Sequence, residues 1–302
     1  MNRINLAWWN IGISPPIHRT LKDKTNELIA VKTFLTDLFV DKSIDFFVFC
    51  EVSSNNTDFL SDLAQELSLD FVDLTSKNGR LILDMSVMYE SSKLEYITHK
   101  SINEDDASGV GIRAGVKVIF KELKTGKFIT FFLSHWNSKL SIDEMDRNDF
   151  SNILRKMIDR VFDTYGIDSH VILLGDYNTQ PYAQALHENL KTTKDYLLIK
   201  EKPKKERMLF NPFWKCISDN KYHSTGSYYH EYGRYDRWFA FDQMMFSSSF
   251  IIDNDEKYPL RLDLSSFKYH SLFDCDTMVM DSDFLAIFDH VPIFGRIYYD
   301  KC

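Results

Sequence analysis

Val171-Ile172-Leu173-Leu174-Gly175-Asp176-Tyr177-Asn178 joins a continuous apolar run to a polar end. Four consecutive aliphatic residues are typical of a strand that is buried in a sheet. The Gly-Asp-Tyr-Asn segment that follows is also typical of an ordinary turn, because glycine, aspartate and asparagine all favour turns. A buried strand that ends on a carboxylate and an amide predicts an α/β protein with polar groups at the ends of its strands.

The same pattern, a polar residue next to an apolar strand, recurs along the chain. It is found at Asn10 after Trp8-Trp9, at Glu51 after residues 45–50, at His135 after residues 131–134, at Asp242 within residues 239–246, and at Asp289-His290 before residues 291–293. The ends of adjacent buried strands meet at one edge of a sheet, where α/β folds bind their ligands. We therefore expect these polar side chains to form one site.

Segments with helical periodicity lie between the apolar strands. Apolar residues recur at helical spacing over residues 25–40, 55–67 and 143–165. Further strands are expected at residues 83–89, 112–120, 128–133, 239–246 and 291–299, with a hairpin turn at Lys124-Thr125-Gly126. Many strands with helices between them predict an α/β fold, a two-sheet β-sandwich flanked by helices, in a single domain over residues 1–302.

The composition is that of a globular protein, and it excludes several classes. The 302 residues include 44 acidic and 36 basic ones, with a formal net charge of -8. These values exclude a disordered or collagen-like chain. They also exclude nucleic-acid binding through overall charge, although a local basic surface stays possible. Because the cysteines are scattered and no apolar run approaches the roughly 20 residues of a membrane helix, we expect a reduced, cytoplasmic protein.

The polar residues at the strand ends form a chemically coherent set. Carboxylate and amide oxygens suit a hard cation such as Mg²⁺, and the sequence has no cluster of soft ligands for zinc. Histidines beside carboxylates suit proton transfer near neutral pH. Hydrolysis of a phosphate ester needs a cation to neutralise charge and a base to orient water. Each residue alone also has a structural interpretation: Glu51 as a strand end, His135 as a core histidine and Asp242 as a buried carboxylate.

The order of these elements resembles the endonuclease/exonuclease/phosphatase superfamily, whose members include deoxyribonuclease I. The resemblance runs from residue 4 to residue 298 and is carried by Trp9-Asn10, Cys50-Glu51, Ser134-His135-Trp136, Gly175-Asp176-Tyr177-Asn178, Phe241-Asp242-Gln243 and Asp289-His290-Val291-Pro292. Two positions depart from the family pattern. Cys50 stands where glutamine is usual, and Phe288 stands where serine is usual. Neither departure removes a group that the chemistry needs.

The resemblance implies a deoxyribonuclease I-like four-layer α/β sandwich that hydrolyses phosphoric esters with a metal ion. It implies that Mg²⁺, or Mn²⁺ in its place, is held by Asn10, Glu51 and Asp289, with Glu51 as the principal ligand. Asn10 is expected to bind either the metal or the phosphate, and Asp289 is expected to share a metal directly or through water. His290, oriented by Asp242, is expected to act on the attacking water or to steady the phosphate. Asp176 is expected to position or deprotonate the nucleophile, and Asn178 to donate a hydrogen bond to a phosphoryl oxygen. His135 is expected to stabilise the developing charge or to protonate the leaving oxygen. Arg113 is expected to contact the substrate phosphate.

Three functions stay open on the sequence alone. The first is a nuclease that cleaves DNA, or RNA, by in-line attack of metal-assisted water. The second is a hydrolase of phospholipid head groups or small phosphate esters on the same fold, and the third is a catalytically inactive binding module. Nucleic acid is therefore the expected partner. The basic run from Lys200 to Arg207 is a candidate local surface for it, although charge runs are usually solvated loops.

Overall fold

In the computed structural model, the chain forms two mixed β-sheets that pack face to face, with helices against their outer faces. This is the two-sheet sandwich that the sequence predicts. The structure describes residues 3–13, 25–54, 56–78, 81–105, 111–138, 144–201, 207–218, 226–252, 259–274 and 279–299.

Strands and helices alternate over most of the chain. The strands are β1 (Arg3–Asn10), β2 (Phe46–Cys50), β3 (Asp70–Asp73), β4 (Ser76–Asn78), β5 (Leu81–Leu83), β6 (Met85–Tyr89), β7 (Leu94–Asp105), β8 (Gly111–Glu122), β9 (Phe128–His135), β10 (His170–Asp176), β11 (Thr192–Thr193), β12 (Leu209–Phe210), β13 (Tyr228–Tyr229), β14 (Trp238–Phe239), β15 (Asp242–Ser247), β16 (Leu260–Leu262), β17 (Lys268–Tyr269), β18 (Phe273–Asp274), β19 (Val279–Met280) and β20 (Ile293–Tyr299). The α-helices are α1 (Thr25–Lys42), α2 (Thr57–Glu66), α3 (Glu144–Tyr165), α4 (Tyr196–Glu201) and α5 (Ser282–Ile287). A π-helical turn spans Ala185–Asn189, and 3₁₀ turns span Pro212–Ile217 and Ser248–Phe250.

Each sheet has two parallel strands near its centre. The first sheet has the strand order β16-β20-β1-β2-β6-β3, and β17 also pairs with β20. The second sheet has the order β11-β12-β15-β10-β9-β8-β7. β1 is parallel to β2, and β9 is parallel to β10. Because parallel neighbours need a crossover, α1 connects the first pair and α3 connects the second.

The central strands are buried on both sides. In β1, Trp8 packs between the two sheets, whereas Trp9 packs against α1 and α2. Between the sheets, the rings of Phe46 and Phe131 stack with their centroids 4.2 Å apart. Helix α3 covers the outer face of the second sheet in the same way. Burial on both sides explains why these strands are continuous apolar runs and do not alternate with polar residues.

The strand register brings the polar strand ends to one rim of the sandwich. Asn10 of β1 lies opposite the last residue of β2, so Glu51 follows next to it. Asp176 of β10 lies opposite His135 of β9 on one side and opposite Asp242 of β15 on the other. A hydrogen bond of 3.2 Å from Nδ2 of Asn10 to Oδ2 of Asp176 joins the two sheets at this rim.

Two predicted strands are interrupted in the structure, and both interruptions concern the rim. The strand expected over residues 83–89 is interrupted at Asp84, which separates β5 from β6. The strand expected over residues 239–246 is split into β14 and β15, so Asp242 is the first residue of a strand and not an interior one. Because β15 is antiparallel to β10, its first residue lies beside the last residue of β10.

Apolar runs do not predict every element that the structure contains. Strand β7 has the polar sequence LEYITHKSINED and lies at the edge of the second sheet, where it pairs with β8. In the basic run, Lys200 and Glu201 end α4, and Arg207 forms an ion pair with Asp163 at 2.7 Å. Residues 202–206 lie outside the described residues, so the structure says nothing of the predicted basic surface there.

The cysteines and the helices bear on two further expectations. Cys50 and Cys216 are buried free thiols, while Cys275 and Cys302 lie outside the described residues. Within the described ranges, no helix is long and apolar enough to cross a membrane.

Candidate active site

Asp176, the last residue of β10, lies at the centre of the rim. Its Oδ1 accepts a hydrogen bond from the backbone N–H of Asn178 (2.9 Å), and its Oδ2 accepts one from Nδ2 of Asn10 (3.2 Å). Burial and the neighbouring Asp242 raise the pKa of Asp176 to about 6, against the opposite effect of two nearby imidazoles. A carboxyl group with this pKa exchanges its proton close to neutral pH, which suits a general base.

His290 is held by a fully buried carboxylate. Its Nδ1 lies 2.8 Å from Oδ2 of Asp242, whose other oxygen accepts a hydrogen bond from the indole N–H of Trp8 (2.7 Å). The indole N–H of Trp9 donates to the backbone carbonyl of His290 (2.9 Å). Burial lowers the pKa of His290, but Asp242 and Asp176 outweigh burial and raise that pKa to about 10. The ring is therefore an imidazolium at neutral pH, with its Nε2 3.7 Å from Oδ2 of Asp176.

His135, the last residue of β9, is held in the same way by a second carboxylate. Its Nδ1 lies 2.9 Å from Oδ2 of Asp84, and its Nε2 lies 3.7 Å from Oε1 of Glu51. Burial lowers the pKa of His135, but Asp84, Glu51 and Asp176 raise it to about 9. Burial also raises the pKa of Asp84, while His135 and Arg113 bring it below its usual value. The rim therefore holds two histidine–carboxylate ion pairs.

Asp84 is one of two residues at this rim that the sequence analysis does not single out. It lies in the break between β5 and β6 and is 9% exposed. The signal for it is one acidic residue inside an apolar run, Leu81-Ile82-Leu83-Asp84-Met85. A charge in a buried segment is stable only with a partner. The run alone does not show which histidine is that partner, so the pair with His135 emerges only from the fold.

Glu51 is the carboxylate at this rim that fits a hard cation best. Its backbone adopts the left-handed region with a φ of 57°, which non-glycine residues rarely adopt. Its side chain is 36% exposed, compared with 1% for Asp176 and 0% for Asp242. An accessible carboxylate is the kind of oxygen ligand that Mg²⁺ and Mn²⁺ prefer. The residues present therefore fit such an ion, with Glu51 as its principal ligand.

A second group of possible ligand atoms lies deeper, but it is a hydrogen-bonded network. Asp176, Asp242 and His290 each place one such atom so that all lie within 4.8 Å of one another. Both oxygens of Asp242 are already in hydrogen bonds, and Nδ1 of His290 faces one of them. Because these ligand atoms are buried and already have partners, the accessible carboxylate of Glu51 is the better anchor for a cation.

Asn10 connects the two carboxylates that flank it. Its Nδ2 donates to Oε1 of Glu51 (3.0 Å) and to Oδ2 of Asp176 (3.2 Å). Its Oδ1 accepts the backbone N–H of Gly12 (3.2 Å). In this orientation the amide holds two negatively charged groups together, and its oxygen faces the backbone.

Asp289, Asn178 and Arg113 complete the residues that the sequence analysis predicts for the site. The side chain of Asp289 is exposed. Asn178 is in the left-handed region with a φ of 50°, and its Nδ2 donates to the first backbone carbonyl after β9 (2.8 Å). The Arg113 guanidinium lies 3.9 Å from Oδ1 of Asp84, and its side chain is only 13% exposed. The structure thus brings the predicted residues to one rim, with Arg113 behind an ion pair and not at the surface.

Tyr228 of β13 also lies at the rim, although no pattern in the sequence points to it. The centroid of its ring is 4.8 Å from that of the His290 ring, and an isolated β-bridge joins the two residues. Burial raises the pKa of Tyr228, as do Asp289, Asp176 and Glu51. This half-buried ring therefore lies within electrostatic reach of the carboxylates and forms one side of the site.

Comparison with known proteins identifies the family and agrees with the fold. Residues 19–279 match the model of the Endonuclease/Exonuclease/phosphatase family. The fold is similar to that of the human Nocturnin catalytic domain (TM-score 0.62, 11% identity, 99% of this chain and 95% of that chain). It is also similar to D. rerio TDP2 complexed with single strand DNA product (0.59, 14%, 98% and 98%) and to a mannosyl-6-phosphatase of Bacteroides thetaiotaomicron (0.63, 12%, 98% and 100%). Among curated proteins, none matches the sequence.

The charge on the two imidazoles can be tested directly by NMR. Because the pKa values of His135 and His290 are raised to about 9 and about 10, both rings are expected to carry two protons at neutral pH in EDTA. His170, whose pKa is lowered to about 4 by its burial, is expected to be neutral in the same sample. Long-range ¹H–¹⁵N spectra of the ring nitrogens distinguish the two states, with His170 as the internal control.

Asp242→Asn refines this test because it removes the negative charge beside one ring only. The pKa of His290 is expected to fall in this variant, while that of His135 stays at about 9. A neutral His290 ring in the parent protein at neutral pH would contradict the charge distribution described above.

Proposed function

Because the chain belongs to the endonuclease/exonuclease/phosphatase family, we propose that it is a hydrolase of phosphoric diesters that uses Mg²⁺ or Mn²⁺ and acts on nucleic acid. The observation that carries this proposal is the two ion pairs at the rim, His290 with Asp242 and His135 with Asp84. A phosphodiester is an anion, and hydrolysis adds charge to its non-bridging and leaving oxygens. Charged N–H donors that are already fixed in place stabilise that added charge most effectively.

Asp176 is proposed as the group that orients the attacking water and accepts its proton. The N–H of Asn178 fixes one of its oxygens (2.9 Å). With a pKa of about 6, Asp176 is mostly ionised at neutral pH and still basic enough to take a proton. The second hydrogen of the Asn178 amide is proposed as the donor to a phosphoryl oxygen.

The two imidazoliums are proposed to have separate roles in stabilising the phosphate and the leaving group. His290, which is next to Asp176, donates to a non-bridging oxygen, and His135 donates a proton to the leaving oxygen. The bond from the water oxygen to phosphorus forms as the bond to the leaving oxygen breaks, and the water proton passes to Asp176. Arg113 acts through Asp84, whose negative charge it supports from behind. This scheme needs no covalent enzyme intermediate.

Glu51 is proposed as the principal ligand of the cation and Asp289 as a second ligand, while Asn10 holds the Glu51 carboxylate in place. A divalent cation bound there supplies positive charge for the phosphate and assists ionisation of water. Asn10 counteracts the repulsion between Glu51 and Asp176, because its Nδ2 donates to both carboxylates. Asp289 is exposed next to His290, so its side chain is free to approach from the solvent side.

Nucleic acid is proposed as the substrate by analogy with a protein of similar fold. D. rerio TDP2, which has a similar fold, is complexed with a single strand DNA product. The similar mannosyl-6-phosphatase makes a small phosphate ester the alternative that an experiment must separate. The sequence itself leaves phospholipid head groups open as a further alternative.

Metal dependence and substrate class are tested in one set of assays. The protein is expected to nick supercoiled plasmid and to degrade single-stranded DNA or RNA with Mg²⁺ or Mn²⁺, and to stop when EDTA is added. The same preparation is assayed on phosphomonoesters, including a sugar phosphate, and on sphingomyelin. If the protein hydrolyses one of these compounds but does not cleave nucleic acid, the proposed nuclease function is wrong and the corresponding alternative takes its place. Full activity in EDTA would refute the metal site.

The role of the Asp242–His290 pair is tested by kinetics. Asp242→Asn is expected to lower kcat by roughly 10³- to 10⁴-fold, as removal of a carboxylate that orients a histidine does elsewhere. The matched control is Asp45→Asn, since Asp45 is a buried carboxylate that precedes β2 and therefore lies at the opposite end of that strand from Glu51. The folded control is expected to keep the parental kcat. A folded Asp242→Asn variant with near-parental kcat would exclude the pair from the mechanism.

A further inference from the structure

A hairpin rich in aromatic residues lies directly beside the candidate active site. It consists of β13, β14 and the eight residues between them, His230-Glu231-Tyr232-Gly233-Arg234-Tyr235-Asp236-Arg237. We call residues 228–239 the aromatic hairpin. Its aromatic side chains other than histidine are Tyr228, Tyr229, Tyr232, Tyr235, Trp238 and Phe239. None of the roles proposed above for the catalytic residues accounts for this concentration of rings.

The base of the aromatic hairpin is attached to the segment that carries His290. The backbone N–H of Tyr229 donates to the carbonyl of Asp289 (2.7 Å), and that of Val291 donates to the carbonyl of Ser227 (2.7 Å). The hydroxyl of Ser227 also accepts the backbone N–H of Asp242 (2.9 Å). The hairpin therefore has a fixed position relative to both members of the Asp242–His290 pair.

The rings at the base form a layered arrangement that begins at the active site. The ring of Tyr228, next to His290, stacks on that of Phe241 with centroids 5.3 Å apart and an interplanar angle of 14°. Phe241 stacks in turn on Phe239 at 5.3 Å. In the next pair of residues along the hairpin, the ring centroids of Tyr229 and Trp238 lie 5.1 Å apart. This packing keeps the hairpin base rigid.

The rings at the tip, in contrast, are open to solvent. Tyr232 and Tyr235 are 84% and 85% exposed, the highest exposures of any aromatic side chain in the part of the chain that the structure describes. The guanidinium of Arg234 lies 5.1 Å from the centroid of the Tyr235 ring, a cation–π contact. Two large exposed rings at the tip of one hairpin therefore form a surface that is open to a flat ligand.

The backbone of the tip is a defined turn. The N–H of His230 donates to the carbonyl of Arg237 (2.7 Å), and the N–H of Gly233 donates to the carbonyl of His230 (3.0 Å). A Cβ atom on Gly233 would lie 2.0 Å from the backbone oxygen of Asp236, so only glycine fits this close approach. The two tip tyrosines are therefore presented from a fixed support.

We propose that the aromatic hairpin is a stacking platform for the bases of single-stranded nucleic acid, and that it places the adjacent phosphodiester at Asp176. The inference rests on the proposed function and adds the substrate form, an unpaired strand. Exposed aromatic faces bind unpaired bases of any sequence, whereas bases inside a duplex are stacked on each other and do not reach them. Because the net charge of the chain is -8, its overall electrostatic field does not attract a polyanion such as nucleic acid. Stacking of bases on the exposed rings is therefore proposed to supply affinity that the overall charge does not.

The composition of the tip favours nucleic acid over a lipid surface. The eight residues between the strands include the charged residues Glu231, Arg234, Asp236 and Arg237 and no aliphatic side chain. Segments that insert into a bilayer surface bury a continuous apolar face, and this tip has none. Its two arginines are, in contrast, suited to phosphate oxygens and to the flat faces of bases.

Binding is measured without turnover, so that it is independent of catalysis. A fluorescent oligothymidylate of about 12 nucleotides, within the site sizes of single-strand binders, is titrated in EDTA and followed by anisotropy, and an oligouridylate is titrated in parallel. Tyr232→Ala/Tyr235→Ala is expected to weaken binding by at least about 5-fold for each ring, since one stacked base contributes about that factor or more. Tyr232→Phe/Tyr235→Phe is expected to restore it, because the rings and not the hydroxyls are needed.

The matched control is Tyr165→Ala. Tyr165 is the next most exposed side chain among the Phe, Tyr and Trp residues, at 69%. It is the last residue of α3 and precedes the start of β10, whereas Asp176 lies at the other end of that strand. This control is expected to bind the oligonucleotides as the parent does. A duplex of the same sequence is expected to bind more weakly than the single strand and to show no difference between the parent and the double alanine variant.

The outcomes separate this inference from the proposed function. The platform would be refuted if the parent and the double alanine variant bound the oligonucleotides with equal affinity, or if the parent did not bind them. Either result would count whether or not the protein hydrolyses a small phosphodiester such as bis-p-nitrophenyl phosphate. Loss of binding in the double alanine variant supports the platform even if the protein cleaves no nucleic acid, in which case only the proposed function fails. A third outcome is that the parent floats with phosphatidylcholine–sphingomyelin vesicles, the double alanine variant does not, and neither protein binds the oligonucleotides. This result would assign the hairpin to a membrane surface and overturn the inference.

Discussion

A carboxylate that is fully removed from water needs a positive partner, and Asp242 is such a carboxylate, with a side chain that is 0% exposed. The strand register places it directly opposite Asp176, so two negative groups lie side by side on neighbouring strands. The proton on His290 balances part of this charge, and burial together with the remaining repulsion from Asp242 raises the pKa of Asp176 to about 6. One buried group of side chains thus sets the protonation states of His290, the proposed donor to a non-bridging oxygen, and of Asp176, the proposed base.

Two consecutive tryptophans of β1 maintain this interaction because successive side chains of a strand face opposite sides. Trp8 points between the sheets and donates its indole N–H to Asp242, and Trp9 points to the outer layer and donates to the carbonyl of His290. Phe288, which stands where the family pattern has serine, packs against Trp9 with the ring centroids 4.9 Å apart. The departure at position 288 therefore supports the indole that holds His290, and it leaves the ion pair intact.

The sequence predicts the rim well where its signal is local. A polar residue at the end of an apolar run identifies Asn10, Glu51, His135 and Asp176, because each belongs to or follows a strand that is buried on both faces. Asp84 is missed because its partner is 51 positions away in the chain, and no local pattern connects the two residues. Tyr228 is missed for a related reason, since its place beside His290 depends on a bridge between segments that the sequence does not show to be paired.

The central claim is that water attacks phosphorus in one step between Asp176 and the two imidazoliums, with no covalent enzyme intermediate. The stereochemistry at phosphorus tests this claim most directly. A phosphorothioate diester of known configuration is hydrolysed in water enriched in ¹⁸O, and the configuration of the product is determined. A single in-line displacement predicts inversion at phosphorus. Retention would mean two successive displacements through an enzyme-bound intermediate, and it would contradict the roles assigned to Asp176, His135 and His290.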